Sequence, residues 1–226
     1  MDIKEFSDRF DTLLNSFGVT PNIVLDEYEK SVFLTNAQEE VIVDIYNGNT
    51  ISGHSFEETE EARRCLSELI VTYKTNEKLT NYNGISKNSK FFKIPEDVWF
   101  ITYESVTLQG EGCLNGKEAL VVPTTQDEFY KVQKNPFRGP SETRVLRLDN
   151  ANNIVELVSK YDLDRYLLRY IVKPSPIILT NLHDGLSING ISIETECKLN
   201  PIIHRIILER AVRLAIQSRI SNIGKE

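Results

Sequence analysis

The apolar residues of this 226-residue chain change their spacing twice, and each change marks a change of secondary structure. In the first third they recur at steps of three and four, which is typical of amphipathic helices. In the middle they form short runs rich in β-branched and aromatic residues, which is typical of strands. Near the end the helical spacing returns. The pattern predicts an α+β protein with an N-terminal three-helix unit, a central, mostly antiparallel β lobe and a long C-terminal amphipathic helix.

The first third of the chain carries start and stop signals for three helices. The first is expected to end at Gly18, and the second to run from a capping box of Asp26 and Glu29 to Gly48. Ser55 and Glu58 repeat the capping box before a third helix. The apolar stripe of that helix has near-ideal helical spacing and consists of Ala62, Cys65, Leu66, Leu69, Ile70 and Tyr73.

The β-rich middle is predicted to hold strands at 98–108, 119–122, 144–148, 154–159 and 166–172. A third capping box, Thr125 and Glu128, predicts a short helix through about Gln133. The glycine-rich stretch 110–118 lacks the spacing of a phosphate-binding loop and is expected to connect strands. The predicted domains are 1–80 for the helical unit, 81–199 for the β-rich lobe, and 200–226 for a C-terminal helix and tail that pack with the helical unit or extend beyond it.

The last helix is the most suggestive element of the chain. Asn200 is a good N-cap, and Pro201 occupies the first helical position, where its missing N–H costs nothing. The apolar face consists of Ile202, Ile203, Ile206, Ile207, Ala211, Leu214 and Ala215, and the opposite, basic face of Arg205, Arg210, Arg213 and Arg219. The apolar face could pack on the N-terminal helices. The basic face would then meet an acidic partner surface.

The sequence contains no recognisable catalytic, cofactor-binding or metal-binding motif, so the protein is expected not to be an enzyme and to need no cofactor. The cysteines Cys65, Cys113 and Cys197 form no CxxC pair and are expected to be small, buried or half-buried thiols. His204 is expected to be a partly exposed packing residue, and His183 to lie in a turn with Asp184 and Gly185. No apolar run exceeds four residues, whereas a membrane-spanning helix needs about 20.

The charge of the chain is unevenly distributed. Residues 1–80 hold sixteen acidic and seven basic side chains, while the remaining residues carry a slight excess of positive charge. Such a dipolar chain suits contact with a complementary neighbour, including another copy of itself. The plainer interpretation is that these charges are solvated faces that keep the protein soluble. A net charge of -7 argues against a surface that coats nucleic acid.

Five blocks of the sequence resemble a structural protein family of crAss-like bacteriophages that infect gut Bacteroidetes. They span most of the chain. The similarity lies in the amino-acid sequence of the blocks and not in a catalytic motif. The blocks are Leu25–Gln38, Phe56–Glu61, Thr125–Pro140, Leu168–Leu179 and Glu196–Pro201. Lys173, Pro174 and Arg138 lie within these blocks and join the four arginines as candidate interface residues.

The resemblance implies a neck ring of the virion, a head–tail connector that acts as a portal adaptor, extends the portal channel and docks tail components. The helix–β–helix order is also similar to that of tail-adaptor proteins of short-tailed phages. The expected partners are further copies of the chain in a ring, together with portal, neck and tail proteins. The resemblance implies that the ring holds twelve copies. Genomic DNA would be only the content of the channel, with no membrane involved. Assembly is expected in the host bacterial cytoplasm. The alternatives are another virion part, such as a tail stopper, tail tube or head decoration, and an enzyme or nucleic-acid-binding module.

Overall fold

The structure, a computed structural model, describes residues 1–16, 25–49, 56, 58–183 and 185–223, with side chains through 219. It divides the chain into two units. Unit 1 comprises Met1–Leu69 and Pro174–Glu226, and unit 2 comprises Ile70–Lys173. Unit 2 is therefore inserted between two parts of unit 1 in the sequence. These boundaries differ from the expected ones at 80 and 199, because residues 70–75 form a strand and the segment after 173 belongs to unit 1.

The helices lie mostly in unit 1, and they confirm the α+β class. They are α1 (Ile3–Ser16), α2 (Glu27–Asn47), α3 (Glu60–Leu66), α4 (Phe129–Lys134) and α5 (Pro201–Ile223), of which α4 alone belongs to unit 2. The Asp26–Glu29 capping box at the start of α2 is confirmed, as is the left-handed Gly48 at its end. The expected stop of the first helix at Gly18 lies outside the described residues.

The third helix is shorter than its apolar spacing predicted. Its N-cap is Thr59, whose side chain accepts a hydrogen bond from the amide of Ala62, while Ser55 lies outside the described residues. After α3 and one 3-10 turn the chain becomes strand β1 (Ile70–Thr75). The expected helical positions Ile70 and Tyr73 are therefore strand residues. The β-branched run from Ile70 to Thr72 suits a strand, and pairing with a distant part of the chain decides the matter.

Unit 2 is built on a seven-stranded sheet. Its strands are β1, β2 (Ser89–Lys93), β3 (Val98–Gln109), β4 (Glu118–Pro123), β5 (Arg144–Asn150), β6 (Ile154–Val158) and β7 (Asp162–Val172). Their order across the sheet is β1-β7-β3-β4-β5-β6-β2, and every pairing is antiparallel except that of β4 with β5. The strands predicted from composition are present. Helix α4 is also present, but the expected Thr125–Glu128 box is wrong, since Glu128 caps the helix without a side-chain hydrogen bond.

The sheet curls around its own core. Phe92 on edge strand β2 and Tyr166 on β7 are separated by four strands, yet their rings lie 5.4 Å apart. A flat sheet would hold them much farther apart, because neighbouring strands are spaced about 4.8 Å. The enclosed core is made of Phe92, Val106, Leu108, Ala119, Val121, Val145, Val155, Leu157, Leu163, Tyr166, Leu168 and Tyr170.

One charged cluster lies inside the curled sheet. Arg147 donates a 2.5 Å hydrogen bond to Glu104, and the Tyr166 hydroxyl donates to the same carboxylate. Burial raises the pKa of Glu104, and the Arg147 charge and the two hydrogen bonds offset only part of that effect. The Arg147 Nε lies 3.2 Å from an Asp149 oxygen without an aligned hydrogen bond. A buried ion pair contributes little net stability, and this cluster links side chains of β3, β5 and β7.

In unit 1, a buried polar stripe on α2 holds the chain that returns from unit 2. Thr35 accepts a hydrogen bond from the amide of Ile177 at 3.1 Å, and Ser31 accepts one from Leu179 at 3.0 Å. The Gln38 amide donates to the carbonyl of Ser175 at 2.9 Å. The three side chains lie at i, i+4 and i+7, so they share one face of the helix. They provide hydrogen-bond partners for the backbone of the extended segment, as a neighbouring strand would.

Replacing Thr35 with valine tests this stripe. The variant keeps the shape of the side chain but leaves the buried amide and carbonyl of Ile177 without the Thr35 hydroxyl. We expect the free energy of unfolding to fall by about 2–3 kcal/mol. Chemical denaturation measures the change. Thr12→Val, at an exposed hydroxyl on α1, is the matched control and should change stability by less than about 0.5 kcal/mol. Equal effects of the two variants would contradict the role of the stripe.

Candidate assembly interface

Helix α5 begins as its sequence predicts. The Asn200 side chain accepts a 3.1 Å hydrogen bond from the amide of Ile202, and the Asn200 carbonyl accepts one from Ile203. The helix packs on α2 and α1. Its buried face consists of Ile203, His204, Ile207, Leu208, Ala211, Val212 and Ala215. Two isoleucines of the predicted apolar face are not part of it, because Ile202 and Ile206 are 59% and 49% exposed. The buried face instead includes His204, Leu208 and Val212, which the predicted apolar face lacked.

Two of the four candidate arginines are bound within unit 1. Arg210 reaches α2, where its guanidinium lies 2.7 Å from Asp44 and 3.2 Å from Glu40. Arg219 lies 3.3 Å from Glu29, in the first turn of α2. Acidic residues on α2 therefore take up half of the basic face that was expected to be free. Asp44 near the C-terminal end of α2 is unfavourable for the helix dipole, and Arg210 offsets that charge.

The other two arginines point away from the packed helices. Arg205 is largely exposed, and among the described residues its ion-pair partner is Glu209, one turn along the same helix, at 2.8 Å. Arg213 is exposed, and within the described residues no carboxylate forms an ion pair with it. We call Arg205, Ile206, Glu209 and Arg213 the outer face of α5. This face combines an exposed isoleucine with cationic groups, which suits contact with another protein.

Lys173 and Pro174 lie at the junction of the two units in the sequence. The Lys173 amide donates to the carbonyl of Asp97 at 3.2 Å, and its side chain is exposed. Pro174 is buried and begins the extended segment that α2 holds. Pro174 is thus part of the buried segment, and Lys173 follows the last residue of β7 on the surface of unit 2.

Arg138 lies in a turn that follows α4 in unit 2, and this turn presents a phenylalanine that the sequence analysis did not single out. The Asn135 side chain accepts hydrogen bonds from the amides of Phe137 and Arg138, at 2.8 and 3.2 Å. Arg144 donates to the carbonyl of Phe137 at 2.5 Å. The Phe137 side chain is nevertheless 87% exposed, and Arg138 is exposed beside it. We call residues 135–139 the Phe137 turn.

A glycine is required where the Phe137 turn ends. A Cβ atom at Gly139 would lie 2.7 Å from the carbonyl oxygen of Asn135 and 2.8 Å from that of Gln133. Both are backbone atoms, so they cannot swing aside as a side-chain end could. The amide of Gly139 also donates to Asn135 at 2.7 Å. The outward direction of Phe137 is therefore set by a tightly bonded backbone.

His204 is buried on the inner face of α5, which corrects the expectation of partial exposure. Its Nε2 lies 2.7 Å from the Leu199 carbonyl, its Nδ1 lies 2.9 Å from the amino group of Met1, and its ring packs on Phe6. Burial lowers the pKa of His204. The Leu199 carbonyl and the charges of Glu5 and Glu68 raise it, but less, and the Met1 ammonium lowers it further. The side chain therefore acts as a neutral bridge.

Among the described residues, the remaining sequence candidates form no common site. Cys65 is buried and Cys197 half-buried, as expected, but Cys113 is exposed, since it lies in the loop between β3 and β4. His183 is exposed, and His54 lies outside the described residues. Among the residues that the structure describes, no three His, Cys, Asp or Glu side chains are grouped as metal ligands. None of the described helices is both long and apolar enough to cross a membrane.

The exposed apolar and cationic side chains on both units are typical of a protein that acts through protein contacts. Comparison with known proteins agrees with this class. The family model for phage tail ring protein 3/4 matches residues 1–226. The chain therefore belongs to the phage tail ring protein 3/4 family, which consists of structural ring components of a virion.

Two curated relatives come from Bacteroides phage crAss001. The chain is 62% identical to its "Ring protein 3" over 229 aligned positions, which cover 100% of both chains. It is 35% identical to its "Ring protein 4/5", covering 95% of this chain and 92% of the relative. The likeness to a crAss-like phage family proposed from the sequence blocks is confirmed.

The buried His204 predicts how stability depends on pH. Because its pKa in the folded protein lies below the ordinary value near 6.5, its contribution is complete above that value and is lost as the pH falls below it. The free energy of unfolding of the parent should fall between about pH 7.5 and 5, and that of His204→Gln should fall less. Denaturant unfolding at several pH values measures the difference. His183→Gln, at an exposed position, should keep the full pH dependence of the parent. If both variants keep it, His204 is not the group responsible.

Proposed function

We propose that the protein is a subunit of a head–tail connector, a neck ring that extends the portal channel of a phage head and docks tail components. The observation that carries this proposal is the family match, which extends over all 226 residues and thus over both units. The full-length relative named "Ring protein 3" supports it. Twelve copies is the number that the likeness to portal-matched connectors implies.

The charge of the chain suits a channel that DNA passes through. A net charge of -7 gives weak attraction to the phosphate backbone, whereas a basic lining would hold DNA through released counterions. DNA is then the content of the channel and not a tightly bound ligand. The same charge separates into an acidic N-terminal part and a slightly basic remainder, which allows unlike surfaces of neighbouring copies to attract each other.

The outer face of α5 is the surface that we assign to a partner outside the ring. It carries Arg205 and Arg213, while Arg210 and Arg219 are bound to α2. A single exposed ion pair contributes only about 0–1 kcal/mol. A ring repeats the contact in every subunit, so small contributions add into a strong attachment. The partner is an acidic surface of the portal or of an adjacent neck protein.

Ring formation is the first test. Twelve copies of the 25.9 kDa chain form a closed assembly of about 310 kDa, which mass photometry distinguishes from a monomer. We expect assembly, alone or on portal-bearing heads, to weaken as salt rises from about 0.05 to 0.5 M, because salt screens attraction between unlike surfaces. A chain that stays monomeric under both conditions would contradict the ring. Assembly that does not respond to salt would remove the charge argument.

Attachment is tested by comparing the outer and inner arginines of α5. Arg205→Glu/Arg213→Glu should keep the fold, with stability changed by less than about 1 kcal/mol, but should no longer sediment with portal-bearing heads. Arg210→Glu places three carboxylates together and should lower the free energy of unfolding by about 1–2 kcal/mol. Circular dichroism checks the fold of each variant. An outer-face variant that sediments like the parent would exclude this face from attachment.

A further inference from the structure

The hydrogen bonds of the Phe137 turn stabilise a backbone that exposes an apolar ring to water. Isolated exposed apolar residues are common and need no explanation by themselves. Here, however, the Asn135 side chain, the Arg144 guanidinium and the obligatory Gly139 together fix the outward direction. Tyr130, the second residue of α4, is 64% exposed as well, and Lys134 lies over its ring. The result is a preorganised aromatic and cationic protrusion on unit 2.

Unit 1 carries a cleft whose chemistry is the opposite. It is open to solvent, has a volume of about 390 Å³, and the described residues that line it are Glu60, Glu61, Arg64 and Ile202. Ile202 is 59% exposed and supplies an apolar wall. Among these described residues, two carboxylates against one guanidinium give a net negative charge. The cleft therefore offers an apolar contact beside an excess of negative charge.

The two surfaces match in pattern. Phe137 is followed at once by Arg138, and the cleft places Ile202 beside Glu60 and Glu61. A guanidinium forms charge-assisted hydrogen bonds with carboxylates, while an aromatic ring gains by leaving water against an aliphatic side chain. We propose that the Phe137 turn of one copy docks into the Glu60–Glu61–Ile202 cleft of the next copy in the ring. This inference rests on the proposed ring function and specifies its contact.

A second copy of this chain is the occupant that the observations favour. A ring closed by rotation needs a head-to-tail contact, in which each copy presents two different surfaces that fit each other. This chain carries one such surface on each unit. A pair of identical surfaces would join only two copies and leave a dimer. Each copy would thus place its Phe137 turn in the cleft of one neighbour and hold the turn of the other neighbour in its own cleft.

Charge reversal tests the contact with two variants. Neither should form rings alone, but a mixture of the two should. Arg138→Glu brings a carboxylate to an acidic cleft, and Glu60→Arg/Glu61→Arg brings a cationic cleft to Arg138, so neither variant should form rings. In an equimolar mixture each turn finds a cleft of opposite charge on the other variant. We expect the mixture to recover rings of the parent's mass, alternating between the two variants, as measured by mass photometry.

Matched controls separate this contact from general effects of charge. Arg165→Glu on β7 and Glu194→Arg in unit 1 reverse exposed charges outside both surfaces, and each should assemble as the parent does. Ile202→Glu replaces the exposed apolar wall at a helix position that accepts an acid, so it should block assembly while the protein stays folded. This variant keeps the test valid if the double cleft variant fails to fold.

The aromatic part of the contact has its own measurement. Phe137→Ala should weaken the association of copies by about tenfold or more, because a buried phenylalanine ring is lost from each contact. Tyr130→Ala, at a neighbouring exposed ring, should weaken it far less. Equal effects of the two changes would show that general surface apolarity, and not the Phe137 turn, drives assembly.

The outcomes distinguish this inference from the ring function itself. If the parent forms rings and both reversal variants do so alone, the contact is wrong and the ring stands. If the folded variants remain monomeric when mixed, the turn does not meet the cleft of a neighbouring copy. If the variants form normal rings but lose attachment to heads, the turn binds another virion protein, and the inference fails. If the parent forms no ring even on portal-bearing heads, the proposed function fails first.

Discussion

The hydrogen bonds between the polar stripe of α2 and the returning chain are the interaction on which unit 1 depends. Unit 2 interrupts unit 1 between Leu69 and Pro174, so the two parts of unit 1 must be joined by tertiary contacts. The extended segment brings buried amides and carbonyls that need partners. Ser31, Thr35 and Gln38 supply them from one face of a helix. The segment then leads to α5, whose buried face packs on α2 and α1 and completes the unit.

Electrostatics within unit 1 decides which surfaces remain for partners. The acids of α2 take up Arg210 and Arg219, so only Arg205 and Arg213 face outward. A sequence with an acidic front and a basic end is therefore partly neutralised inside each copy, and the intermolecular attraction is smaller than the charge count suggests. In our account, two surfaces of unit 1 meet partners: the outer face of α5 and the cleft at the start of α5. The first serves a partner outside the ring and the second serves the neighbouring copy.

Local signals in the sequence predicted local structure well. The Asp26–Glu29 box, the Gly48 stop and the Asn200–Pro201 start are all confirmed, because caps depend on neighbouring residues. Strand β1 was missed because Leu69, Ile70 and Tyr73 have helical spacing, and only pairing with β7 makes them a strand. The polar stripe of α2 was missed because serine, threonine and glutamine on a helix usually face water. The exposure of Phe137 depends on Arg144 and Gly139, so a motif search could suggest the turn but not its direction.

The central claim is that copies join head to tail through unlike surfaces, unit 2 of one copy against unit 1 of the next. A class average of the assembled ring, from electron microscopy of portal-bearing particles with the chain bound, tests this directly. The account predicts a closed ring in which each curled-sheet unit contacts the helical unit of its neighbour, with the same contact repeated around the circle. Rings built from contacts between like units, helical against helical or sheet against sheet, would contradict it.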